Sequence, residues 1–387
     1  MRKFIYLVLV LSLIGLGVYT YWYQRTKVFI NPIDLAQFNQ LTPLSGEACK
    51  QEDAIEYFYY QEVPEGEKRN NKFGLYIYPD NEKFIDLADD LVNSSDGDWG
   101  YVLIPHDIND NDEKKWERVF YLLNKNHLIP VVQLWNIDPD DYEDETKDAA
   151  EFLDSFIWPI RQRYISVYNE PNDAKFWNGN VDPEKYAEVL DFTINTFKKQ
   201  SENFFMINGG LNVSASTTST SLEAFNYMIR MNEAVPGIFR KLDGWASHSY
   251  PQPNFSGSPY ATGRSSIKAY EAELDFLAQE FGVENLPVFI TETGWAHDVG
   301  KSFNNSYLSL DQVAENFKTA YEEVWLPDDR VVAVMPFSIR YDTPFDHFSW
   351  VDDDYRPYTQ FLEVKEMDKI EGNPEKLLKA DVSSLGC

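Results

Sequence analysis

Eight short runs rich in β-branched and aromatic residues recur along this 387-residue chain, and their spacing leaves few architectures open. The runs are Phe73 to Tyr78, Tyr101 to Pro105, Ile129 to Leu134, Tyr164 to Asn169, Phe204 to Gly209, Leu242 to His248, Leu286 to Thr291 and Val331 to Ile339. Their starts lie 28, 28, 35, 40, 38, 44 and 45 residues apart, room each time for one strand, one helix and two loops. The segments between them carry helical periodicity, as in Ile267, Tyr270, Leu274, Leu277 and Phe281, or in Tyr186, Val189, Leu190, Thr193 and Phe197. Asp182 and Pro183 supply a cap and a first turn for the second of these. Eight such units in a row predict an α/β fold, a (β/α)8 barrel over residues 71–365. A doubly wound sheet would offer a glycine-rich phosphate loop after its first strand, and none is present.

The remainder of the chain divides around that barrel. Phe4 to Tyr23 carries no charge, follows Arg2 and Lys3, and is long enough to cross a bilayer at about 1.5 Å per residue. It ends in Tyr19, Tyr21, Trp22 and Tyr23 with no small-residue cleavage pattern, so residues 1–27 are read as a signal anchor in preference to a cleaved signal peptide. That reading holds the barrel on a membrane, outside the cytoplasm; cleavage would make the protein secreted. Residues 28–70 form a stalk or extension with a polar connector from Gln61 to Asn71, and residues 366–387 a polar tail. The two cysteines, Cys49 and Cys387, can join the ends of the soluble part in an oxidising compartment, and two free or modified thiols fit as well. A formal charge of −29 with no Lys/Arg stripe argues against a nucleic-acid partner. Asp107-x-Asn109-x-Asn111 opens like a calcium loop but lacks the glycine and glutamate that complete one, and the acidic run from Asp138 to Glu145 reads as solvated surface.

Barrel enzymes carry their chemistry at the carboxyl ends of the strands. Here those ends read YNEPND (Tyr168 to Asp173), SHSYPQP (Ser247 to Pro253) and ITETGW (Ile290 to Trp295). Glu170 and Glu292 end the fourth and seventh predicted strands, across the mouth from one another. Two carboxyl groups facing each other there are what glycosidic bond cleavage requires, one to protonate the departing oxygen and one to attack the anomeric carbon.

Asn169-Glu170-Pro171 and Thr291-Glu292-Thr293-Gly294-Trp295, in that strand order, resemble the clan A glycoside hydrolases, a large retaining group of (β/α)8 enzymes. The resemblance covers about residues 70 to 365 and implies Glu170 as acid/base, Glu292 as nucleophile, Asn169 on the sugar 2-hydroxyl, and His248 and Tyr250 at strand-six positions that many members use, His248 as a candidate sugar contact or a supporting core residue and Tyr250 as hydrogen-bond donor to the nucleophile. No metal or organic cofactor is implied, and the implied partner is a polysaccharide or oligosaccharide. With a raised pKa expected for Glu170, Glu292 would stay ionised. At strand two, where many members carry an arginine, this chain has His106 and Asp107. Trp135, Trp177, Trp295 and Trp350, at or past strand ends, are candidates for stacking on sugar rings. The same features admit an anchored carbohydrate-binding barrel without turnover, or a transglycosylase using the same Glu pair.

Overall fold

The computed structural model describes residues 58–302 and 304–379; the Phe4 to Tyr23 segment, most of the extension, Cys49 and Cys387 lie outside them. Two compact units are present, one of them residues 63–375. In the other, Phe58–Tyr60 pairs antiparallel with Leu377–Lys379, so part of the expected stalk and part of the expected tail are strands of one small sheet. Among the described residues no helix is long and apolar enough to cross a membrane.

Residues 63–375 contain the eight strands where the spacing places them: β1 (Gly74–Tyr76), β2 (Tyr101–Asp107), β3 (Ile129–Trp135), β4 (Arg163–Val167), β5 (Phe204–Asn208), β6 (Trp245–His248), β7 (Val288–Glu292) and β8 (Val331–Val334). All are parallel to their neighbours. β1 to β5 form one ladder. The other ladder runs from Leu211–Asn212, just past β5, through β6 and β7 to β8. Parallel bridges between Phe73 and Val334 and between Ile207 and Gly244 join the two ladders, so the sheet closes. Eight α-helices follow the strands: α1 (Glu82–Val92), α2 (Glu113–Lys125), α3 (Tyr142–Asp154), α4 (Pro183–Gln200), α5 (Ala224–Ala234), α6 (Ala269–Phe281), α7 (Leu310–Ala320) and α8 (Thr359–Glu366).

The alternation of each strand splits the core in two. Tyr101, Leu103, Ile129, Val131, Ile207, Phe289 and Ala333 fill the barrel interior, while Val102, Ile104, Val132, Ile165 and Ile290 face the helices. Five of these eight helices, α1, α2, α4, α5 and α7, begin at a side-chain cap. Asp182 accepts from Lys185 N before the Pro183 turn, and Ser309 and Gln312 close a reciprocal capping box on α7. Interior positions continue upward to the mouth, so Gln133 and Trp135 share the face of Ile129 and Val131.

Candidate active site

Three strand ends converge on one group of side chains. The His248 Nδ1 lies 3.0 Å from Glu170 Oε1 and 3.7 Å from Glu292 Oε2. The Tyr250 hydroxyl donates to Glu292 Oε2 at 3.0 Å. One oxygen from each carboxylate and the imidazole nitrogen all fall within 4.8 Å of one another. Both carboxylates are nearly buried, with side chains 12% and 11% exposed.

The local backbone explains the convergence. After β4 the chain turns through left-handed backbone at Tyr168 (φ 71°) and Glu170 (φ 36°), and the Glu170 amide donates to Gly210 O. That turn needs space beside β5. A Cβ on Gly209 would lie 2.7 Å from the Tyr168 carbonyl oxygen, and one on Gly210 would lie 2.1 Å from His248 Cδ2. The Tyr186 hydroxyl donates to Val167 O and accepts from Gly209 N, tying the ends of β4 and β5 together. Asn172, fully buried, links the loop after β4 to Asn212 and Leu222. Across the mouth, the Thr293 hydroxyl donates to Ser249 O at 2.6 Å, which sets Tyr250 against Glu292.

The electrostatics differ from the sequence expectation. Burial pushes Glu292 up to about 7; the Glu170 carboxylate adds to this, while His248, the Tyr250 hydroxyl and Lys175 oppose it. The reason Glu292 is raised is its depth in the barrel. Burial opposes charge on His248, but the carboxylates of Glu292, Glu170 and Glu273 raise its pKa overall. Burial and the same two site carboxylates hold Tyr250 well above the usual phenol range, so it remains an O–H donor.

A cleft of about 570 Å³ opens beside the pair, lined from β1 to β4 and by Tyr341 beyond β8. It reaches Tyr76, Gln133 and Asn169, the neighbour of Glu170 in sequence, but is not lined by the two carboxylates themselves. Asn169 Oδ1 accepts from Gln133 Nε2 at 3.1 Å. Trp135 lines the cleft and is 47% exposed.

The other three tryptophans correct the expectation of sugar stacking. Trp177 packs between Tyr168 and Tyr186, and Trp295 and Trp350 both pack on Phe317; each is buried, with no face open to a ligand. The strand-two His106 also lies outside the mouth. Its position in the alternation of β2 turns it toward the helices, between Trp116 and Phe152, and burial lowers its pKa to about 4. Asp107, next in the strand, lines the cleft instead. Sequence reasoning missed Tyr76, Tyr78, Lys175, Phe176 and Tyr341, all of which line the cleft. The period-two spacing of Tyr76, which ends β1, and Tyr78, two residues past it, was the available signal; the rest lie in loops.

Glu170, His248 and Glu292 also form the one group among the described residues with the donor types and spacing to hold a metal ion. No protein-family model matches the chain, and no curated protein matches it. Solved structures similar to it include an endo-β-1,3-glucanase of glycoside hydrolase family 128, subgroup II, from Pseudomonas viridiflava, at 15% identity and TM-score 0.50, covering 77% of this chain and 98% of that one. A family 51 α-L-arabinofuranosidase from Bifidobacterium longum gives 12% and 0.51 over 77% and 73% of the two chains. A glucosidase from Croceicoccus marinus gives 12% and 0.55 over 80% and 69%. These neighbours are clan A glycoside hydrolases, and the fold this chain shares with them is their (β/α)8 barrel.

Proposed function

We propose that the protein is a retaining β-glycoside hydrolase that cleaves extracellular or cell-surface glycans by double displacement. The observation that carries this reading is the approach of the two carboxylates, with oxygens within 4.8 Å. Retention calls for carboxyl groups about 5 to 5.5 Å apart, whereas inversion needs about 6.5 to 9.5 Å to admit a water between them. The glycosidase activities of the structural neighbours support the reaction class.

In the first step a Glu292 carboxylate oxygen attacks the anomeric carbon, the bond to the leaving oxygen breaks, and Glu170 gives that oxygen its proton. In the second, Glu170 takes a proton from water, whose oxygen displaces Glu292 from the anomeric carbon. The Tyr250 hydroxyl stabilises Glu292 as an anion, and His248 Nδ1 faces both carboxylates, where its N–H can serve either. Asn169 is assigned to the substrate 2-hydroxyl. A signal anchor at Phe4 to Tyr23 would hold the barrel outside the cytoplasm.

A panel of aryl β-glycosides and polysaccharides, offered to the wild type, Glu292→Gln and Glu170→Ala, tests the assignment. Glu292→Gln is expected to lower kcat by roughly 10⁴-fold or more, and azide is expected to rescue Glu170→Ala on an activated substrate. Binding of a glycan with no turnover by the wild type would favour a carbohydrate-binding barrel, and turnover untouched by Glu292→Gln would remove it as nucleophile.

A further inference from the structure

The cleft is one-sided. Its walls come from the ends of β1 to β4 and from Tyr341, and the residues that line it include none from β5, β6 or β7. One wall is aromatic, with Tyr78 5.5 Å from Tyr76 and 5.8 Å from Tyr341 between ring centroids. Opposite elements contribute Trp135 and Phe176, among the few large apolar side chains the fold leaves exposed, at 47% and 39%. Between them lie polar groups. Gln133 is bonded to Asn169, and the Asn136 amide donates to Asp107 Oδ2 at 2.9 Å. Aromatic faces around fixed hydrogen-bonding groups are what a sugar ring, apolar on its C–H faces and polar at its rim, is bound by.

The position of the acid decides which side of the scissile bond this cleft serves. Asn169 lines the cleft, whereas Glu170 is absent from its lining and meets His248 on β6 at 3.0 Å. The departing oxygen must come within hydrogen-bond reach of Glu170, and a leaving group that exits over His248 and β6 leaves the cleft to the sugars on the other side of the scissile bond. Its volume of about 570 Å³ exceeds what one sugar ring fills. Asp80, Asp107 and Asp110 line it against Lys115 and Lys175, and Lys115 is itself paired with Asp110 at 2.8 Å. Three carboxylates against two ammonium groups leave the lining net negative, which disfavours anionic chains.

Resting on the glycosidase reading, we propose that this cleft is a glycone trough for several units of an uncharged glycan, with Trp135 and Phe176 as its outer platforms. The enzyme therefore favours a chain over a single sugar. The test compares kcat/KM for aryl β-glycosides bearing one and three units of the sugar the enzyme cleaves. The wild type is expected to favour the longer compound by about tenfold or more, and Trp135→Ala and Phe176→Ala each to reduce that ratio roughly three- to tenfold. Tyr121→Ala, an exposed aromatic on the outer face of α2, leaves the ratio as it is. A uronate in the outer units is expected to remove the advantage. A wild-type ratio near one, a ratio that neither variant moves, or a preference for the uronate overturns the trough while the glycosidase reading stands. Failure to cleave any glycoside overturns both.

Discussion

Tyr250 is the residue whose single atom tunes the site most directly. Its hydroxyl is a hydrogen bond that lowers the pKa of Glu292, against burial that raises it to about 7. The nucleophile must be ionised, so kcat/KM is expected to fall as pH drops through about 7, well above the ordinary carboxylate range. Removing the hydroxyl in Tyr250→Phe removes a downward influence, so the acidic limb is expected to move up by about one pH unit. A pH–rate profile of the two proteins checks the sign, and a limb that stays in place or moves down contradicts the account. Gly210 works by having no side chain. In Gly210→Ala the new methyl would meet the imidazole of His248, and overpacking of about 1–3 kcal/mol is expected in denaturant unfolding, with kcat reduced because His248 leaves its two carboxylates.

Among the elements, α6 carries a group that the proposed chemistry does not use. Glu273 is buried, accepts from the Ser247 hydroxyl on β6, and is pushed by burial from 4.5 up to about 7. A carboxyl raised in the folded state favours folding in its protonated form. Below pH 4.5 both states hold the proton, so Glu273 imposes no penalty. Between about 4.5 and 7 the unfolded chain releases it first, and above 7 the fold carries the full cost, on the order of 3 kcal/mol. Glu273→Gln mimics the protonated form, so the difference in Tm between pH 5 and pH 8 is expected to shrink. Thermal unfolding at both values tests it, and an undiminished difference would show that Glu273 is not the group responsible. The loop after β4 is a second element-scale dependence. Tyr186→Phe would leave Val167 O and Gly209 N without their buried partner, a loss of about 1–3 kcal/mol.

On the scale of the whole molecule, the barrel was legible because its signal repeats. Each strand alternates between interior and helix layer, and a one-residue slip would bury polar residues in both. Glu170, Glu292, His248 and Tyr250 were legible because strand ends share one mouth, so separation in sequence becomes proximity. The tryptophans were not, since a position near a strand end does not say whether an indole turns to the mouth or to the helices. Trp135 stands on the interior face of β3 above Gln133 and is exposed, whereas Trp295 and Trp350 are drawn into a core around Phe317. Lys175 and Phe176 were missed for a similar reason, because loops carry no period. The direction of the Glu292 shift depended on burial depth, which only the assembled fold sets. The measurement that reaches the central claim most directly is the anomeric configuration of the first-formed product, followed by proton NMR during cleavage of a β-glycoside from the active panel. Carboxylates within 4.8 Å of each other predict a β-configured product that mutarotates only afterwards. An α-configured first product would mean that water attacks directly, and that Glu292 is not the nucleophile.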